Sequence, residues 1–137
     1  MTAETFARVQ SSFTVMTPHL EAMTERFYAH LFAARPAVRP LFQVNMDVQR
    51  RHLSAALALI VRNLGVLDAL DVPIRELGAR HARVGVKPEH YPAVLDAMLL
   101  AMQDTLGDTW TIELAQDWSV LLLSIAGKMI AGGSANT

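Results

Sequence analysis

The chain has 137 residues, 52% of them hydrophobic, with seven glycines and six prolines: enough for one domain with a core, too few for two ordinary domains, and unlike a collagenous or disordered chain. Its 12 basic and 13 acidic residues leave a net charge of −1, which argues against a nucleic-acid partner, and the absence of cysteine excludes disulfides, thiolate metal sites and thiol catalysis. No apolar run approaches the ~18 residues of a membrane helix, and the start Met1-Thr2-Ala3-Glu4 has neither a basic nor an apolar leader, so a cytoplasmic protein without a membrane partner is expected.

Strand signals are nearly absent, and helical spacing runs through the chain. Phe6, Val9, Phe13 and Met16 form the first apolar stripe, after a cap at Thr2. Thr17-Pro18 opens a second helix with the stripe Leu20, Met23, Phe27 and Leu31; Arg35-Pro36 ends it, because a residue before proline disfavours helical geometry. A short piece spans residues 36–42. The third long helix runs from about Asp47 to Leu64, with Leu53, Leu57, Ile60 and Leu64 on one face and Gly65 as its stop. Asp71-Val72-Pro73 opens a shorter helix that ends near Gly85, and Lys87-Pro88 opens another that reaches Leu106-Gly107. Thr109 begins the last helix, which runs to about Ile130 and leaves residues 132–137 as a frayed tail beyond an ordered core of about 3–131. The class is all-α, a single domain over 1–137. The last helix is apolar on more than one face at residues 120–125, which fits a central helix or a homodimer face.

With no cysteine, the five histidines and the carboxylates are the metal-capable side chains. His19, His30 and His90 stand beside polar residues and read as surface; His52 follows two arginines and reads as surface or rim. His81 differs, because Leu77 and Val84 flank it at helical spacing. No second histidine lies one turn away and there is no His-Glu-x-x-His motif, so a self-contained metal site does not follow. A single protein ligand suffices only where the metal arrives with most of its ligands in place, as haem iron does. Haem would also need a flat apolar cleft. Spacing alone leaves open whether His81 is a ligand or a hydrogen-bonded core histidine, and whether Phe42, Leu53, Leu57, Val94 and Met98 line a cleft or fill an ordinary core.

Four blocks, taken together, resemble a bacterial single-domain globin, similar to the haem domain of flavohaemoglobins, over about residues 6–130. They are Arg26-Phe27-Tyr28-Ala29-His30-Leu31-Phe32 followed by Pro36; Pro40-Leu41-Phe42-Gln43; Gln49-Arg50-Arg51-His52-Leu53; and the segment from Arg80-His81 through Pro88-Glu89-His90-Tyr91-Pro92 to Val94. The resemblance implies a globin fold, three helices over three around one haem b, with the fourth helix of the family short or absent. It implies His81 as the proximal iron ligand. On the distal side it implies Tyr28, Gln49 and, one turn on, Leu53. Phe42, Leu57, Leu77, Val86, Tyr91, Val94 and Met98 would complete the pocket. Dioxygen, nitric oxide and carbon monoxide are the ligands so implied, with Tyr28 and Gln49 able to donate hydrogen bonds to a partly negative ligand. Placing Gln49 over the pocket sets His52 to one side, toward a haem propionate or solvent.

Two departures carry consequences. Flavohaemoglobins continue into a flavin and nicotinamide reductase, whereas this sequence ends at Thr137, so a separate electron-donating reductase is expected. They also carry a glutamate late in the last helix that bonds on the proximal side. Here the stretch reads Ala126-Gly127-Lys128-Met129, and His81 is expected to donate to a backbone carbonyl near Leu77 instead, with weaker oxygen-activating chemistry. Three functions remain: a reversible binder of dioxygen; a nitric oxide dioxygenase drawing on an external reductase; and a helical interaction protein without haem.

Overall fold

The computed structural model describes residues 1–42 and 45–134, which are 91% helical with no strand. Six α-helices form the body: α1 (Ala3–Met16), α2 (Leu20–Ala34), α3 (Met46–Arg62), α4 (Asp71–Arg83), α5 (Tyr91–Leu106) and α6 (Ile112–Ser134). Short 3-10 turns at Thr17–His19, Pro36–Leu41, Leu64–Leu70, Pro88–His90 and Gly107–Thr109 join them. Among the described residues between Leu41 and Met46 there is no helix, which matches the expected shortness of the family's fourth helix. Gln43, the last residue of the second sequence block, lies outside the described residues, as do 135–137 of the expected tail.

The helices form two layers, α1, α3 and α4 over α2, α5 and α6. The main seams are α4 on α6 and α2 on α5, and α3 leans on α2 and α1. The core sits between the layers: Met16, Met23, Leu31, Met102, Trp118 and Leu121 are buried to 1% exposure or less. Two polar ties lock α1 to α6. Trp118 Nε1 donates to Ser12 Oγ at 2.9 Å, and the Arg8 guanidinium grips both oxygens of Asp117 at 2.5 and 3.1 Å. Such pairing answers the desolvation of a carboxylate that is almost buried. α6 is the one unbroken helix among the described residues long and apolar enough to cross a membrane; here it packs against α1, α4 and α5, with Val120 and Leu123 left exposed.

Most helix ends follow the sequence signals. Thr2 Oγ1 accepts the Thr5 amide at 3.1 Å at the start of α1. Gly85 and Gly107 carry the positive φ values, 104° and 56°, that stop α4 and α5. Three ends differ. α3 starts beside Asp47 as expected, with Asn45 Oδ1 accepting the Asp47 amide at 2.8 Å, but it ends at Asn63 rather than at a glycine stop. Asn63 Nδ2 donates to the Leu59 carbonyl at 2.7 Å, so the free carbonyls are met by an amide and Gly65 needs no left-handed turn. The cap of α6 is Thr111, not Thr109: its Oγ1 accepts the Leu114 amide at 3.0 Å, while Thr109 turns back to the Leu106 carbonyl.

The third difference lies in the expected frayed tail. α6 runs through Gly132 and Gly133 to Ser134, and both glycines are buried. A Cβ on Gly132 would lie 2.1 Å from the Arg75 carbonyl oxygen, and one on Gly78 would lie 2.0 Å from the Met129 carbonyl oxygen. Gly78 on α4 and Gly132 on α6 thus let two backbones cross almost in contact. This packing, rather than intrinsic propensity, holds the last turn of α6 in helical form.

Candidate functional site

The crossing of α4 on α6 fixes the position of His81, which lies one turn beyond Gly78. The imidazole is half-buried, and its Nδ1 stands 2.8 Å from the Leu77 carbonyl oxygen. A carbonyl can only accept, so Nδ1 carries the proton and Nε2 keeps its lone pair for a ligand. Burial pushes the His81 pKa below its ordinary 6.5; the Leu77 bond opposes this and the nearby Arg80 charge adds to it. The ring is therefore neutral at neutral pH, as metal ligation requires. Among the described residues no carboxylate lies within ion-pair distance of the ring: Lys128, in the stretch where flavohaemoglobins place their glutamate, pairs instead with Asp71 at the start of α4. The turn after α4 is pinned to the same residue, since the Val86 amide donates to the His81 carbonyl at 3.0 Å.

A second group is aromatic. Tyr28, on α2, is 5% exposed and touches Phe27, Phe32 and Phe42 with ring centroids at 4.8, 5.9 and 5.5 Å. Phe32 and Phe42 meet edge to face at 5.3 Å, and the Arg39 guanidinium caps Phe32 while donating to the Phe42 carbonyl at 3.1 Å. This cluster anchors Phe42 where the chain leaves the short helix of residues 36–41. The Gln49 side chain, in the first turn of α3, faces the Tyr28 hydroxyl, and Arg50 lies close enough to act on it. Burial raises the Tyr28 pKa above 10 and outweighs both neighbours, so the hydroxyl remains a donor.

Tyr28, Leu57 and Met98 belong to the main core cluster, and Phe42, Leu53 and Val94 pack against it. Leu77, Val86 and Tyr91 lie outside that cluster and are half-buried. Burial raises the Tyr91 hydroxyl pKa. The chain bends by 115° between α3, which bears Gln49 and Leu53, and the segment that carries α4 and His81, so the two helices run in different directions. The donor set suits a haem: one neutral imidazole on α4, half-buried apolar side chains on α3, α4 and α5, and a hydroxyl and an amide where α2 meets α3. It does not suit a bare ion, because no cluster of three metal-capable side chains exists among the described residues.

The other histidines have ordinary partners or none. His30 Nε2 lies 2.7 Å from Asp104, and His90 Nδ1 accepts the Lys87 amide at 2.9 Å. His19 and His52 are exposed. What sequence reasoning missed was the glycine crossing beneath His81. A glycine inside an apolar helical stripe was its one available signal.

Comparison with known proteins agrees with this architecture. The globin family model matches residues 25–129. The flavohemoprotein of Bacillus subtilis is 33% identical over 130 residues, covering 93% of this chain and 33% of the relative, and that of Rhizobium meliloti is 27% identical over 122 residues. The chain spans about a third of the length of these curated relatives. Among solved structures, an engineered carbene transferase from Rhodothermus marinus, whose parent is named as a candidate nitric oxide dioxygenase, superposes with a TM-score of 0.89 at 28% identity, over 98% of this chain and 94% of that one. A bacterial globin from Campylobacter jejuni superposes with a TM-score of 0.84 at 25% identity, over 98% and 97%.

Proposed function

The chain belongs to the globin family, and on that premise we propose that it holds one haem b on His81 and binds dioxygen, nitric oxide and carbon monoxide beside Tyr28 and Gln49. The observation that carries this reading is the His81–Leu77 bond, which fixes the tautomer and aims the ring. Haem would supply reversible binding of diatomic gases when ferrous, and would accept a single electron when ferric. The chain's own contribution is positional. Leu77 orients the imidazole, Phe42, Leu53, Leu57, Val86, Val94 and Met98 exclude water, and Tyr28 and Gln49 donate to the polar end of a bound gas. Tyr91 stands at the His81 side of the pocket.

The test is an absorption spectrum of the purified protein, ferric, then reduced, then with carbon monoxide. A strong Soret band that shifts with carbon monoxide, and is lost or altered in His81→Ala, is the expected result. No Soret band after haem is added would leave a helical interaction protein whose stripes are only core. Nitric oxide dioxygenation is the second reading, favoured by the flavohemoprotein relatives and the Rhodothermus marinus neighbour. In it, nitric oxide, dioxygen and one electron give nitrate, with a reductase supplying the electron. Sustained nitrate formation with a reductase present would establish it; a single oxidation without turnover would leave a carrier.

A further inference from the structure

The near-zero net charge conceals a strong segregation. Residues 35–87, which carry both Gln49 and His81, hold nine of the 12 basic and four of the 13 acidic residues, a net of +5; the rest of the chain is −6. Three of these cations stand beside His81. Arg80 adjoins it and acts on its ring; Arg83 and Lys87 bracket the turn tied to the His81 carbonyl. All three are exposed, and among the described residues none lies within ion-pair distance of a carboxylate. By contrast, Arg50 and Arg51 line a separate groove with Glu21, Thr24 and Asp47, and Arg50 is paired with Asp47. Val84, between Arg83 and Lys87, is 61% exposed. Unpaired cations around an exposed apolar side chain give a protein-docking surface its polar rim and central contact. Two haem propionates would offset only two of the five surplus charges.

We infer that Arg80, Arg83 and Lys87 form a docking rim for an acidic electron-donor protein. The inference rests on the haem reading above and names the partner of that same cleft. Opposite charges on rim and donor raise the encounter rate and orient the pair with the donor's redox centre toward the cleft. One electron then leaves the donor and reduces ferric to ferrous iron, with no bond made or broken. The −6 remainder of the chain disfavours an extended polyanion such as nucleic acid, which would have to lie across it.

The test uses haem-loaded protein and an acidic plant-type ferredoxin as probe. Binding is measured by calorimetry at about 20 mM and about 300 mM salt, where screening lengths differ several-fold, and the rate constant for haem reduction by the reduced probe is measured alongside. Wild-type protein is expected to bind at low salt and to weaken about tenfold or more at high salt. The variant R80E/R83E/K87E, with its Soret band intact, is expected to bind about tenfold or more weakly at low salt and to be reduced correspondingly slowly. If that variant loses its Soret band, R83E/K87E makes the same comparison away from the residue beside His81. Salt-independent binding by the wild type, unchanged binding by the variant, or equal binding of the basic protein cytochrome c would overturn the inference. So would capture by anionic vesicles or DNA with no affinity for ferredoxin. A wild-type chain with no Soret band would overturn the haem reading itself, whereas a normal Soret band without salt-sensitive ferredoxin binding would overturn the rim alone.

Discussion

Tyr28 is held almost without freedom by three aromatic rings, and its hydroxyl stays protonated because burial opposes the phenolate. A donor fixed before the ligand arrives loses little entropy on bonding to it. Tyr28→Phe keeps the ring cluster and removes only the donor. A hydrogen bond to a partly charged acceptor is worth about 1.5 kcal/mol, so dioxygen release should speed up by roughly tenfold. Stopped-flow displacement by carbon monoxide measures it, and an unchanged off-rate would remove Tyr28 from the ligand's surroundings. The helical spacing of Gln49 and Leu53 was legible in the sequence, because residues four apart share a face. The meeting of Gln49 with Tyr28 was not. It joins α3 to α2 through tertiary packing, which one helix's periodicity does not encode, and only the resemblance to a family paired the two residues beforehand.

Helix α4 owes its position to glycine, and that produces a contrast among single substitutions. An added methyl at Gly78 or Gly132 meets a backbone oxygen 2.0 or 2.1 Å away, which no rotamer change relieves, whereas one at Gly127 meets nothing within 4 Å. Gly78→Ala and Gly132→Ala should each cost about 2–3 kcal/mol by forcing the helices apart, and Gly78→Ala should also weaken haem retention because His81 moves with α4. Gly127→Ala should stabilise by about 0.5–1 kcal/mol, through helix propensity alone. Urea denaturation of the three variants checks the order, and equal effects would mean the crossing is not tight. Across the molecule, α2 is strapped to α5 at Asp104, which takes Arg26 at 2.9 Å and His30 at 2.7 Å on one oxygen. His30 first, and Arg26 second, hold this carboxyl below its ordinary 3.8. A depressed acid stabilises fully above 3.8 and loses that contribution as pH falls through the depressed value. For a partly exposed pair this amounts to about 0.5 kcal/mol, so Asp104→Asn should lower stability slightly at neutral pH and have no effect in strong acid, as thermal melts at the two pH values would show. At this scale the sequence announced helix starts well, because Thr2 and the proline positions act locally. It misjudged residues 132–134, since Gly132-Gly133 carries the composition of a loose end and the reason for its order lies on α4.

At the scale of the molecule, the two walls of the cleft are held in different ways. α3 rests on α2 and α1, and α4 rests on α6, while the buried body of the protein lies between α2, α5, α6 and α1. Leu53 and Gln49 on α3, and Leu77, His81 and Val86 on α4 and the turn after it, are only half-buried by protein. Their remaining apolar surface is what a haem would cover. At about 25 cal/mol per Å² of apolar area, that cover adds to the stability of these walls without touching the α2–α5 seam. Ligand removal should therefore act unevenly. Native-state hydrogen exchange of the apoprotein is expected to show α4 and the first turns of α3 opening at lower free energy than in the haem-loaded protein, with α5 and the Trp118–Ile125 stretch of α6 keeping most of their protection. The midpoint of thermal unfolding should rise with haem by mass action. A uniform loss of protection across all six helices would mean that the cleft walls and the core form one cooperative unit, and that the glycine crossing under His81 does not hold α4 in place unless haem is bound.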